Sequence, residues 1–211
     1  MKFCRKYLII LVLPIISFAL ANAQEDDKII GIRAGANISS IALNQPGKQA
    51  AQPGVQIGAY YIQPLDKQKV SVQFELYFAQ KGGYYYGNTR AGNIQLNYLE
   101  VPVLLRFSHQ MNNVYLYAVG GPYIAGLLGG MYQADTAKSD LQIQFKSSDV
   151  RFEFGAQAGG GIAYQLGKGR VFLDLRYAFG LTNINTYDLT RNRVFTVSVG
   201  YDIKFRELFS K

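Results

Sequence analysis

Apolar and polar residues alternate with a period of two along eight segments of the chain, and this pattern predicts eight half-buried β-strands. The segment NYLEVPVLLRF (residues 97–107) is one of them. From residue 99 onward its odd-numbered positions are apolar, while the even-numbered ones include Glu100, Pro102 and Arg106. Because successive side chains of a strand point to opposite faces, one face is apolar and the other carries charge. Pro102 cannot donate a ladder hydrogen bond, so we expect a bulge or an unpaired position there.

The connections between these segments alternate in length. Short turns, PLDKQK, SHQMNN and GKGR, follow the second, fourth and sixth segments. Longer polar loops follow the others, over roughly residues 39–54, 83–93, 127–151 and 182–193. Barrels of the outer membrane combine short periplasmic turns with long extracellular loops. The chain therefore predicts an all-β fold, an eight-stranded antiparallel up-and-down transmembrane β-barrel with a plugged polar lumen.

The fifth segment, Val114–Met131, is uncharged and long enough to suggest a membrane-spanning helix instead. It contains five glycines and a proline, which are poor helix formers. We therefore expect a strand that continues into a loop. Its predicted outer face carries Tyr115, Tyr117, Val119 and Tyr123, with Leu116 and its alternates facing inward.

The charged positions of the eight strands share one face, and the rest of that face is rich in Gly, Gln, Ser, Ala and Thr. Small residues beside a few opposed charges suit the interior of a narrow barrel. A soluble lipocalin-like barrel, in which these charges would face water, is the alternative. The predicted lumen charge network comprises Arg33, Glu75, Glu100, Arg106, Glu153, Asp174, Arg176, Asp202 and Lys204.

Aromatic residues lie near both ends of the predicted outer faces, as expected for the two girdles that flank the apolar band of an outer-membrane barrel. The predicted girdle at the turn ends consists of Tyr61, Phe107, Tyr115, Tyr164 and Phe205, and the one at the loop ends of Phe78, Tyr123, Phe154, Phe179 and Phe195.

The first residues predict export. A basic start, the apolar run YLIILVLPIISFAL and the small-residue site ANA have the order of a signal peptide cleaved after residue 23. Residues 24–211 then form a single barrel domain that lacks cysteine, because Cys4 is the only one, and disulfides and thiolate metal sites are excluded. The formal charge of the full chain is +8, but no basic stripe is present, so we expect no nucleic-acid partner.

The strands contain the segments GIRAGANIS (31–39), ELYFAQKG (75–82), NYLEVPVLLRF, GGPY (120–123), FEFGAQAGGGI (152–162) and LDLRYAFGLTNI (173–184). Together these segments resemble the PorT-like outer-membrane β-barrel family. The resemblance implies an eight-stranded barrel in the outer membrane. It also implies a possible link to type IX secretion, with which PorT itself is associated.

No catalytic, cofactor or metal site is predicted. The only histidine, His109, falls in a predicted periplasmic turn, where a solvated side chain is expected. We expect a non-enzymatic envelope scaffold or interaction protein. Its partners would be outer-membrane lipid and, through the loops, envelope or secretion-complex proteins. A narrow solute channel and an outer-membrane enzyme remain alternatives. Within the longest loop, LQIQF (141–145) predicts a short strand that extends the barrel wall or pairs with a partner; the alternative is that the fifth and sixth strands simply project beyond the membrane as a hairpin.

Overall fold

The computed structural model describes residues 28–42, 48–66, 69–86, 91–134, 140–143, 152–182 and 191–208. The predicted signal peptide lies outside the described residues. The described chain contains ten strands and one short 3-10 helix at Phe205–Leu208. The strands are β1 (Ile29–Ala42), β2 (Lys48–Ala50), β3 (Gln52–Asp66), β4 (Val70–Tyr86), β5 (Ala91–Met111), β6 (Val114–Ala134), β7 (Asp140–Ile143), β8 (Phe152–Leu166), β9 (Gly169–Gly180) and β10 (Arg191–Lys204).

Eight of these strands close into an antiparallel barrel. Strands β1, β3, β4, β5, β6, β8, β9 and β10 each pair with the next in this order, and β10 pairs with β1 from Ile29↔Lys204 to Ala42↔Arg191. The short strands β2 and β7 pair with β4 and β6. Closure leaves no unpaired edge in the barrel wall, and the predicted fold class is confirmed. Among the described residues, no helix is long and apolar enough to cross a membrane.

The two ends of the barrel differ. At the turn end, hairpins close at Asn112 (φ 54°) and Gly167 (φ 62°), and β1 begins beside the end of β10. At the opposite end, here called the loop end, β4, β5 and β6 stay paired out to Tyr86↔Ala91 and Gly92↔Ala134, beyond the last β6–β8 pair, Gly126↔Phe152. The predicted loop bounds were too wide, because residues 83–86, 91–93 and 127–134 belong to β4, β5 and β6.

The segment LQIQF contributes to the barrel wall at the loop end. Strand β7, which contains its first three residues, continues the β6 ladder at Gly130–Gln133, beyond the point where the pairing of β6 with β8 ends at Gly126↔Phe152. The segment therefore extends the wall. Its last two residues lie outside the described part of the chain.

The barrel has an apolar outside and a polar inside. Ile32, Ile57 and Val199 on the outer wall are 66%, 62% and 58% exposed, whereas Arg33 and Asp174 on the inner wall are 2% and 0% exposed. A soluble lipocalin-like barrel would have the reverse arrangement, with an apolar lumen and a polar exterior. That alternative is wrong for this chain.

Strand β6 has the opposite phase to the one predicted. Tyr117, Val119 and Tyr123 are buried inside, while Leu116 and Ala118 are exposed on the outer wall. Tyr115 also packs against the interior cluster that contains Tyr117. Tyr115 and Tyr123 therefore do not belong to the aromatic girdles. The prediction is wrong here because tyrosine has an apolar ring, which suits an outer face, but also a hydroxyl that can form a hydrogen bond inside the barrel.

The other predicted girdle residues lie on the outer surface. Tyr61 and Phe78 are half-buried there, and Phe205 begins the 3-10 helix rather than ending a strand as expected. Five are strongly exposed: Phe107, Phe154, Tyr164, Phe179 and Phe195. Their placement at the two membrane interfaces stays a prediction.

Pro102 points into the barrel and is buried. The β4–β5 ladder runs from Phe74↔Val103 to Tyr77↔Glu100 without a register shift, and it lacks pairs at the two positions between them. The expected unpaired position is therefore present, and the register shift of the β5–β6 ladder lies instead at Asn97/Tyr98, where Leu128 of β6 is the extra residue.

Candidate functional site

The lumen is the part of this barrel where the polar side chains converge, and glycines on β8 make room for them. A side chain at Gly161 would collide with the phenol of Tyr117, and one at Gly159 would collide with Arg176. These two glycines let long side chains from neighbouring strands cross the interior. The side chains form three groups along the barrel axis, which we call the central, loop-end and turn-end clusters.

The central cluster joins two arginines to two acids. Arg33 Nη1 lies 3.3 Å from Glu75 Oε2, and Arg33 Nη2 lies 3.0 Å from Asp174 Oδ1. Arg176 Nη1 approaches the same Glu75 oxygen at 2.8 Å, and its Nε lies 2.7 Å from Asp174 Oδ1. Tyr117 donates a hydrogen bond of 2.9 Å to Asp174 Oδ2. Each charge therefore has two partners of opposite sign, the arrangement that burial of charge requires.

Neutral groups complete the central cluster. Arg33 Nη2 donates to Ser198 Oγ at 2.6 Å, and Gln73 donates to Glu75. With its carboxamide oxygen turned inward, Gln56 accepts from Arg33 Nη2 and Nε at 3.1 and 3.2 Å. These bonds fix the orientation of the Arg33 guanidinium, while the ion pairs described above balance its charge.

The loop-end cluster is built around a lysine. Lys81 forms ion pairs with Glu100 and with Glu153, whose Oε1 lies 3.0 Å from Lys81 Nζ. Glu153 also accepts hydrogen bonds from Tyr123 at 2.5 Å and from Asn192. The ring of Tyr123 lies 4.8 Å from Lys81 Nζ, within cation–π range.

The turn-end cluster pairs Arg170 with Asp202 through two bonds, of 2.7 and 2.9 Å. Asp202 also accepts a 2.8 Å hydrogen bond from Tyr60, whose ring packs edge-on against Phe172 with centroids 5.7 Å apart. The Arg170 guanidinium lies 4.8 Å from the centroid of Tyr115.

Arg106 lies at the boundary between the central and turn-end clusters. Its Nη1 donates to Gln73 at 2.9 Å, its Nε donates to Ser108 at 3.1 Å, and its guanidinium lies 3.6 Å above the ring of Tyr117. Only 4% of Arg106 is exposed. Among the described residues, it has no carboxylate within salt-bridge distance.

The structure brings eight of the nine predicted lumen residues inside the barrel and leaves Lys204 half-buried at the turn end. Two cations were missed, Lys81 and Arg170. Both are in phase with predicted lumen residues of their own strands, Glu75 and Asp174, so extending the alternation would have found them. Within the described barrel, apart from Lys204, the inward charges balance as five cations and five acids: Arg33, Lys81, Arg106, Arg170 and Arg176 against Glu75, Glu100, Glu153, Asp174 and Asp202.

A cavity of about 640 Å³, which we call the turn-end vestibule, opens below these clusters. Arg106, Arg170 and Asp202 line its inner part, and Ile29, Ile62 and Tyr115 add apolar wall. Four further cations, Lys69, Lys168, Lys204 and Arg206, line it together with Glu207.

The described part of the chain places its metal-ligating side chains and its single histidine as follows. No group of three metal-ligating side chains occurs there. His109 is exposed and lies on β5, opposite Leu116, rather than in the predicted turn. Its neighbours in the vestibule wall include Lys69 and Gln110.

Comparisons with known proteins agree with this architecture. The family model described as "Outer membrane protein beta-barrel domain" matches residues 22–185. The crystal structure of the outer membrane protein OprG from Pseudomonas aeruginosa has 15% sequence identity and a TM-score of 0.54, over 87% of this chain and 98% of OprG. A major outer membrane protein from Thermus thermophilus has 12% identity and a TM-score of 0.50, over 84% of this chain and 99% of that protein. At these identities the likeness shows the fold alone. No curated protein matches the chain.

Proposed function

This chain belongs to the family of the outer membrane protein beta-barrel domain, and from that premise we propose that it is a non-enzymatic anchor whose loop end binds other components of the cell envelope. The protein is located in the outer membrane, and its outer wall is suited to lipid because exposed apolar residues cover it. The polar, charged surface that proteins normally present to water lies inside.

The observation that carries the proposal is the filled lumen. Glu75 and Asp174 each bridge two arginines in mid-barrel, and their side chains are fully buried. Eight strands leave an interior just wide enough for side chains to fill. A solute channel would require these ion pairs to separate, which costs several kcal/mol for each buried charge left without its partner. The narrow-channel alternative is therefore disfavoured.

Planar-bilayer recording tests this part of the proposal. The purified, folded protein should give no steady large conductance. A stable, ohmic current of porin size would contradict it. The double variant Glu75→Gln, Asp174→Asn removes both acids of the central cluster. If wild type shows a residual current that passes through the lumen, this variant should change its size.

With the lumen filled, the loop end is the best candidate for binding. There β4, β5 and β6 project together beyond β8, and β7 widens the projection by pairing with β6. Short turns of outer-membrane barrels face the periplasm and the longer loops face the exterior. On that orientation, the projecting strand ends, with β7, would contact partners at the cell surface.

In-cell crosslinking tests the loop-end surface. A linker that replaces residues 132–149 removes β7 and the end of β6, whereas a control linker that replaces residues 144–151 retains β7. Both variants should still fold and show heat-modifiable mobility on gels, because surface loops carry few core contacts. Partners should be lost only from the first variant. Full retention of partners by both variants would move the binding surface elsewhere.

The segments that resemble the PorT-like family support a narrower proposal, a role beside the type IX secretion machinery. Removing the protein from a host that carries this machinery should then cause its cargo to accumulate in the periplasm. Normal appearance of the cargo in the medium would refute the secretion role while leaving the anchor role intact.

A further inference from the structure

The turn-end vestibule combines a cavity of ligand size with an excess of positive charge. Its volume of about 640 Å³ falls within the range of small-molecule sites. Six cationic side chains line it against two acidic ones, Asp202 and Glu207. Both acids are already engaged, Asp202 by Arg170 and Tyr60, and Glu207 by Arg206 at 3.5 Å. Among the lining residues, cations therefore outnumber acids by four.

Arg106 distinguishes the vestibule from the other charged regions of the lumen. Among the five cations inside the described barrel, Arg33, Lys81 and Arg176 each have two carboxylate partners and Arg170 has one. Arg106 has none. A charge that is buried without a partner of opposite sign is costly, so this guanidinium is suited to an anion from outside.

The geometry around Arg106 orients it for such an anion. The ring of Tyr117 supports one face of the guanidinium, and Gln73 and Ser108 hold Nη1 and Nε. Within the described residues, Nη2 is left without a hydrogen bond. A planar guanidinium fixed in this way is the preferred partner of carboxylate and phosphate groups.

We propose that the turn-end vestibule is a binding site for a small anionic molecule with a phosphate or carboxylate group. The anionic group contacts Arg106, and the surrounding cations strengthen its attraction. The remainder of the molecule packs against Ile29, Ile62 and Tyr115. On the orientation given above, the ligand enters from the periplasm. This site is independent of the loop-end surface, and either proposal can fail alone.

Titration calorimetry on the folded full chain in detergent tests the site with two probes, inorganic phosphate and citrate. Wild-type protein should bind at least one of them saturably, and the tighter probe identifies the preferred group. Arg106→Gln should weaken binding about tenfold or more, as expected for loss of a charge-assisted bond. The matched control Arg193→Gln removes the same charge from an exposed position at the loop end and should bind like wild type.

A second variant keeps the test decisive if Arg106→Gln does not fold. The double variant Lys69→Gln, Arg206→Gln changes two lining cations outside the three clusters and leaves the lumen ion pairs intact. It should fold normally and also bind more weakly than wild type. The proposal is overturned if wild type binds neither probe saturably. It is also overturned if both vestibule variants bind as tightly as Arg193→Gln.

Discussion

At the scale of single residues, Glu75 shows how the lumen holds its charges. It accepts from Arg33 of β1, from Arg176 of β9 and from Gln73 of its own strand. The two arginines come from strands that are not adjacent to β4 in the wall, so the carboxylate ties distant parts of the barrel together across the interior. Its loss should therefore affect the whole fold.

We expect Glu75→Gln to lower the free energy of unfolding by about 3–5 kcal/mol, because it removes the shared partner of two buried arginines. The matched control is Glu207→Gln, which loses a 3.5 Å pair with the exposed Arg206, near the barrel end, and should cost at most about 1 kcal/mol. Urea titration of both variants in micelles, read by heat-modifiable gel mobility, makes the comparison. Equal midpoints for the two variants would show that the central cluster does not stabilise the barrel.

Most lumen residues were predictable because a charge on an alternating strand can face only one side of an apolar wall. Lys81 and Arg170 were not predicted as lumen residues, for a reason that concerns their place in the sequence. Arg170 lies in the predicted turn GKGR, and Lys81 lies just before the predicted loop at residues 83–93, so both are in regions where polar residues are expected without a lumen. The pairing of Lys81 with both Glu100 and Glu153 could not be predicted, because contacts across the lumen depend on the stagger of three different strands.

At the scale of elements, β6 is the strand that the sequence described least well. Both of its faces are apolar by composition, since Tyr115, Tyr117 and Tyr123 alternate with Leu116 and Ala118. Only the acids on β8 and β9 decide the phase. Tyr117 bonds to Asp174 and Tyr123 to Glu153, so the tyrosine face turns inward.

Single cysteines on β6 test this phase, and the cysteine-free barrel domain gives a clean background. In a liposome, Ala118→Cys should react with a lipid-soluble maleimide because residue 118 is exposed on the outer wall. Val119→Cys should react slowly, since residue 119 is 5% exposed and faces the filled lumen. Fast reaction of Val119→Cys and slow reaction of Ala118→Cys would instead support the phase predicted from sequence, with residue 119 on the outer wall.

At the scale of the whole molecule, the membrane-spanning band is defined by an apolar exterior together with an interior in which positive and negative charges balance. The exterior was predictable because seven of the eight barrel strands kept their expected phase. The height of the band was less predictable, because backbone pairing continues in β5 and β6 beyond the point where the wall is complete.

An arginine scan of the outer wall measures this band. Leu175→Arg, in the middle of β9, should lower the free energy of unfolding in lipid by about 2–4 kcal/mol if it lies near the bilayer midplane. Leu128→Arg makes the same substitution on β6 beyond its last pair with β8, where the cost should be about 0–1 kcal/mol. Both leucines are exposed, at 46% and 61%, so the comparison isolates depth. A larger loss for Leu128→Arg would place the lipid band nearer the loop end.

The closing seam of the barrel has a consequence for the connectivity of the chain. Strands β1 and β10 pair along their full lengths, and Phe205 N donates to Lys28 O at 2.8 Å. A sheet closed on itself has no first strand, so a few residues could join Lys204 to Ile29 while the chain is opened in a loop instead. Such a circular permutant should form the same barrel, with its new chain ends at the loop end, on the opposite side of the membrane from the junction of Lys204 and Ile29.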